Sequence, residues 1–235
     1  MKKRMIAILI MAALCTGCGQ KENSAESYNE KPDKDEVAVN AAGMWDVETS
    51  YGSIQDLMSE AECVVYAEVK KLEYTVEDGS VSTDETVQVI DNLYGDVNKG
   101  EEINIFKMGG YAKIKDYIDS YEEEYREQAR NFAGFNNLTE KDIETKYVSF
   151  LPQGEVDTDV GDKAVYFLKK REDESELYER IGAYEGEYVE LSNGEFKVPG
   201  LEEYEEVNSA AEDNDENMET CITCLLYTSD AADDS

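Results

Sequence analysis

Cys63-Val64-Val65-Tyr66-Ala67-Glu68-Val69-Lys70-Lys71-Leu72-Glu73-Tyr74-Thr75-Val76 is the stretch on which the fold turns. β-Branched and aromatic residues crowd it, as on a pleated, half-buried surface, so it reads as a strand. Asp78-Gly79-Ser80 supplies a turn, and Thr86 to Leu93, with Val87 and Val89 on one side, reads as the paired strand. Outward along the chain, Ile103-Asn104-Ile105-Phe106 is a third strand and Ala164-Val165-Tyr166-Phe167-Leu168 the strongest core strand. Leu177 to Ile181 is a further strand, stopped by Gly182. Tyr188 to Leu191 and Glu195 to Val198 form a hairpin about Ser192-Asn193-Gly194, since Asn-Gly suits the tight primed turn. In front of the first strand, Ser53 can cap a helix over 54–62, where Ile54, Leu57, Met58 and Ala61 recur at helical spacing. The expectation is a mainly β (α+β) domain over about 44–207.

Between the third strand and the core strand lies an insertion, about 108–153. Tyr111 to Phe132 carries no Pro or Gly, and Ile114, Tyr117, Ile118, Tyr121, Tyr125, Ala129 and Phe132 repeat at three and four. That predicts an amphipathic helix lying on the sheet or over its mouth. Tyr111, Tyr117, Tyr121 and Tyr125 are candidates for a partner-facing surface, because tyrosine gives large contact area at low entropic cost. The same spacing also suits burial in a core. Thr139-Glu140-Lys141-Asp142 can cap another short helical turn, and Tyr147 to Leu151 is a possible strand.

Composition narrows the functions. The 235 residues include 22 Lys+Arg against 55 Asp+Glu, a formal net charge of −33. Nucleic acid and anionic lipid surfaces are polyanions, so neither suits such a chain as a binding partner. There is no histidine. That excludes Ser-His-Asp and Cys-His activation, His-ligated zinc and the commonest general base.

The N-terminus reads as an address. Met1-Lys2-Lys3-Arg4 is basic, and Ile6 to Leu14 is apolar but far shorter than the about 20 residues that span a bilayer. Leu14-Cys15-Thr16-Gly17-Cys18 resembles a bacterial lipobox, with Cys18 as the acylated residue; Cys15 stands where such motifs usually carry Leu, Val or Ile. The resemblance implies residues 1–18 as a lipoprotein signal and a diacylglyceryl group on Cys18, with palmitate-type chains that anchor stably when two or more are present. Residues 19–43 are polar and aperiodic and are expected to be a disordered tether, reaching roughly 25–30 Å as coil.

Residues 208–223 belong to an acidic run beginning near Glu202 that lacks Lys and Arg, expected to be a solvated, disordered tail. Cys224-Leu225-Leu226-Tyr227-Thr228-Ser229-Asp230-Ala231-Ala232-Asp233 resembles a translated transposon-end sequencing adapter, so 224–235 is expected to be an artefact. Cys221-Ile222-Thr223-Cys224 would then not be a native C-x-x-C pair. Cys63 is expected to be a small buried hydrophobe.

The string "ECVVYAEV", then "NLYGDVNKGEEINI", then "VGDKAVYFL" resembles a family of small extracytoplasmic lipoproteins of Gram-positive bacteria. It covers about 53–106 and 160–198. The strand order is also similar to the OB-like barrel of netrin-type modules, which include tissue inhibitors of metalloproteinases. The resemblance implies an OB-like closed or partly open antiparallel barrel with a short N-terminal helix and a helical insertion, and a lipid anchor at a Gram-positive membrane. It implies no reaction. The inhibitors' use of a free N-terminal cysteine does not transfer, because Cys18 would be acylated and distant.

Glu155, Asp157, Asp159 and Asp162 cluster in one loop, and hard oxygen ligands could attract Ca²⁺ loosely. Their spacing does not fit an EF-hand, whose glycine belongs at the sixth position. No metal or other cofactor is expected beyond that. Two functional expectations result: a lipid-anchored, non-enzymatic interaction module for envelope proteins or basic peptides, or a carboxylate- or divalent-metal-dependent envelope hydrolase.

Overall fold

The computed structural model describes residues 26–41, 51, 53–132, 134–172 and 176–197. Their elements run β1 (Glu26–Tyr28), β2 (Val37–Asn40), α1 (Ile54–Glu60), β3 (Cys63–Glu77), β4 (Ser80–Tyr94), β5 (Glu102–Met108), β6 (Tyr111–Lys113), α2 (Ile114–Ser120), α3 (Arg126–Arg130), α4 (Glu140–Thr145), β7 (Tyr147–Ser149), β8 (Lys163–Lys170), β9 (Tyr178–Arg180), a 3₁₀ turn (Ala183–Gly186), β10 (Glu187–Glu190) and β11 (Phe196–Lys197). The fold is β-rich α+β. No helix among the described residues is long and apolar enough to cross a membrane.

Five strands close a ring. β3 pairs with β4, β4 with β5, β5 with β9, β9 with β8, and β8 returns to β3. Numbered among themselves, the barrel strands run first-second-third-fifth-fourth-first, an OB-like order. The expected OB-like antiparallel barrel closes through one parallel pair. An odd number of strands cannot alternate direction all the way around a ring, and β5–β9 is the parallel pair. Beyond the ring, β1 pairs with β3 residues 74–76, and β10 and β11 extend outward from β8.

Alternation puts every second residue inside. On β4, Val81, Thr83, Glu85, Val87 and Val89 are buried; on β5, Ile103, Ile105 and Lys107. On β3 the inward phase shifts at the adjacent exposed pair Lys70–Lys71, where the pairing with β4 slips, so that Ala67 and Val69 point inward before it and Leu72, Tyr74 and Val76 after it. An extra residue of this kind is a β-bulge, which bends the strand and helps a small barrel close.

Three cores result. Inside the barrel, Val65, Val69, Val87, Ile105 and Tyr166 pack together. Outside it, α1 lays Ile54 and Leu57 against Val64, Val165, Phe167 and Tyr188. As the sequence implies, Ser53 Oγ accepts from the Asp56 amide at 3.2 Å and starts α1. The third core joins the far ends of β3 and β4 (Val76, Val81) to the insertion through Ile114, Tyr117, Phe135, Ile143 and Val148.

The insertion departs from the single predicted helix. Its first residues form β6, and β2, β7 and β6 make a small second sheet. The helical part breaks into α2 and α3 at Tyr121 to Tyr125. Glu122-Glu123-Glu124 places three like charges in succession there, and Arg126 donates to the carbonyl oxygens of Tyr121 and Asp119 at 3.0 Å each, closing the end of α2. Thr139 and Asp142 form the expected capping box on α4.

The disordered tether is also corrected. Residues 26–41 carry β1 and β2, and Lys31 makes ion pairs with Asp157 and Asp159. Sequence polarity misleads here because the segment gains order by backbone pairing to edge strands, which needs few apolar side chains. The Cys18 leader, the 208–223 tail and the adapter-like 224–235 lie outside the described residues.

Candidate functional site

The sequence alternation that fills the barrel with valine also points two charged residues inward, Glu85 from β4 and Lys107 from β5. Three others join them: Arg180 at the end of β9, Glu187 at the start of β10, and Glu155 from the 150–162 loop between β7 and β8. All five side chains are at most 6% exposed.

Arg180 holds Glu155 with both terminal nitrogens, Nη1 to Oε1 at 2.6 Å and Nη2 to Oε2 at 2.9 Å. Its Nη1 also donates to Glu187 Oε2 at 2.5 Å. Lys107 Nζ lies 2.9 Å from Glu187 Oε2, 3.1 Å from Glu85 Oε2 and 3.6 Å from Glu155 Oε1, and donates to Thr158 Oγ1 at 3.2 Å. The Tyr166 hydroxyl donates to Glu85. Arg180 Nε is buried without a hydrogen-bond partner.

Three carboxylates thus share two cations, and the electrostatics follow. Burial raises the Glu187 pKa above the ordinary glutamate value; Lys107 and Arg180 oppose that, while Glu85 and Glu155 add to it. Burial acts in the same direction on Glu155, but Arg180 and Lys107 outweigh it and lower its pKa. Burial disfavours charge on Lys107, yet Glu187, Glu85 and Glu155 hold its proton more firmly than in free lysine. Three carboxylates and two cations, all ionised, sum to one negative charge, and the upward direction of the Glu187 pKa works to relieve it. Neutrality of the set matters because an uncompensated buried charge is strongly destabilising.

At the seam between loop and barrel lies a cavity of about 20 Å³, lined in part by Tyr74, Lys107, Tyr111, Glu155 and Thr158. That is room for roughly one water molecule.

The four predicted cation ligands do not come together as a metal-holding group among the described residues. Glu155 turns inward to Arg180. Asp157 and Asp159 face Lys31, whose Nζ is 2.9 Å from an oxygen of each. Asp157 also accepts the Tyr111 hydroxyl at 2.6 Å, and Asp162 accepts the Asp159 amide at 2.8 Å. In this arrangement Asp157 and Asp159 are ion-paired with this chain's own Lys31.

The partner-facing tyrosines divide. Tyr111 and Tyr117 are buried, at 7% and 5% exposure, and so present no surface. Tyr117 packs on Phe135 and Phe150 and shares a 2.7 Å hydroxyl contact with Tyr121, which is half-buried over the Gly79 turn. Tyr125 alone of the four is exposed, at 49%. Burial pushes the Cys63 thiol up to about 12, with Glu62 adding to it, so it stays a protonated, inert core group as expected.

Sequence reading missed Glu85, Lys107, Arg180 and Glu187 as site residues. A signal existed for two of them. In Val81-x-Thr83-x-Glu85-x-Val87-x-Val89 and Ile103-x-Ile105-x-Lys107, the charged residue occupies the inward phase of a strand.

The architecture defines a small OB-like barrel with a buried, internally compensated charge network. No family model matches the chain, and no curated protein and no solved structure matches it.

Proposed function

We propose that the chain is an extracytoplasmic binding module, anchored by lipid on Cys18. The supporting observation is the Leu14-to-Cys18 lipobox-like sequence a short distance ahead of a barrel whose apolar interior also holds a paired charge network. Only seven residues, 19 to 25, separate Cys18 from β1. Fully extended, that link spans at most about 28 Å from Cys18 to Glu26, at roughly 3.5 Å per residue. The anchored domain would stand close to the headgroups, not clear of them. With a net charge of −33, basic peptides and basic patches of envelope proteins are the partners its field favours. The test is labelling with radioactive palmitate: incorporation into the native chain and its loss in Cys18→Ala support the anchor, and equal labelling of both removes it.

A second reading draws on the three buried carboxylates, which a carboxylate- or metal-dependent hydrolase could use. Against it, each is engaged by Lys107 or Arg180, and the cavity beside them admits about a water molecule. Thermal-shift titrations with Ca²⁺, Mg²⁺ and Zn²⁺ separate the two; a saturable rise in melting temperature favours the hydrolase.

A further inference from the structure

Four of the five buried charges come from strands of the barrel and its extension, and the fifth does not. Glu155 belongs to the 150–162 loop, yet it is the carboxylate that Arg180 grips in a two-pronged fork. That planar geometry is how a guanidinium recognises a free carboxylate. We propose that Arg180 and Lys107 form a carboxylate-binding slot that Glu155 occupies in cis, and that a carboxylate-bearing ligand takes its place when the loop withdraws.

Several observations converge on the loop as a removable plug. Its outer side is held from elsewhere in the chain, by Lys31 on Asp157 and Asp159 and by the Tyr111 hydroxyl on Asp157. Gly154 and Gly161 sit in the left-handed region at φ +85° and +100°, flanking the segment that carries these contacts. The water-sized cavity marks where loop and barrel fail to fill space between them. Arg180 also keeps a buried Nε–H that has no hydrogen-bond partner. The slot is a local cationic site inside an acidic molecule, separate from the surface field that favours basic partners; it rests on the binding-module reading but does not depend on the lipid anchor.

The experiment uses the full chain and acetate as the probe, with chloride at equal ionic strength as control. In Glu155→Ala, acetate should raise the melting temperature saturably and chloride should not; in Glu155→Ala/Arg180→Lys, the fork is gone and the acetate response should shrink severalfold. Equal effects of acetate and chloride on Glu155→Ala overturn the slot. A second measurement does not need the Glu155 variant to fold. In Lys31→Ala, where the plug is less firmly held, acetate should increase hydrogen exchange over 150–162 several-fold relative to chloride, because the probe displaces Glu155. No acetate-specific change there overturns exchange between loop and ligand. Palmitate labelling reports on the anchor alone, so failure of one reading is distinguishable from failure of the other.

Discussion

Replacing Arg180 by methionine is the sharpest perturbation of the barrel interior. The side chain is 3% exposed and bonds Glu155 and Glu187, themselves 2% and 0% exposed. Methionine fills comparable space but leaves three carboxylates facing Lys107 alone. Removing one partner of a buried ion pair typically destabilises by about 3–5 kcal/mol. For a domain of this size, about 2–4 °C per kcal/mol converts that to a fall of roughly 6–20 °C in Tm. Urea denaturation should show a lower midpoint with an unchanged m-value, since the surface exposed on unfolding stays the same. Adding Glu155→Gln to Arg180→Met removes the charge left behind and should recover part of the loss, a coupling on the order of 0.5–3 kcal/mol. A single-variant loss below about 1 kcal/mol, the level of a surface pair, would refute the buried network.

Other perturbations test separate parts of the account. The folded pKa of Glu187 lies above its unfolded value, so its contribution is complete below the unfolded value and is lost as pH rises through the folded one. Glu155 has the opposite sign, its contribution being lost as pH falls through its folded pKa. Urea midpoints measured across pH should therefore decline as pH rises above the ordinary glutamate range for the native chain, and Glu187→Gln should flatten that decline. Tyr117→Ala should destabilise by about 3–5 kcal/mol, whereas Tyr125→Ala should stay within about 0.5 kcal/mol, read by the same denaturation. Gly110→Ala adds a Cβ at φ +132° against Thr83 Oγ1 and the Tyr74 ring, and should lower Tm by several degrees. Thr139→Ala breaks the capping box on α4 and should cost about 1 kcal/mol.

The strands were legible because period-2 alternation and Asn-Gly or Asp-Gly turns are local signals. Ala164 to Leu168, Val87–Val89 and the hairpin of Glu187–Glu190 with Phe196–Lys197 all read directly. The insertion was not, since Tyr111 to Phe132 has one helical stripe but its geometry is set by Arg126 reaching back to Tyr121 and Asp119. The order of 26–41 also depends on distant edges, β3 and β7, which a local polar composition does not reveal. Glu155 was singled out for the wrong chemistry. Its neighbours in sequence are acidic, but its neighbours in space are Lys107 and Arg180, from strands 48 residues upstream and 25 downstream respectively.

The anchored-module account meets its most direct test in the N-terminal peptide of the chain recovered from bacterial membranes. Mass spectrometry should find it beginning at Cys18 and carrying a diacylglyceryl group. A soluble chain whose first peptide still contains Met1 and an unmodified Cys18 contradicts the account.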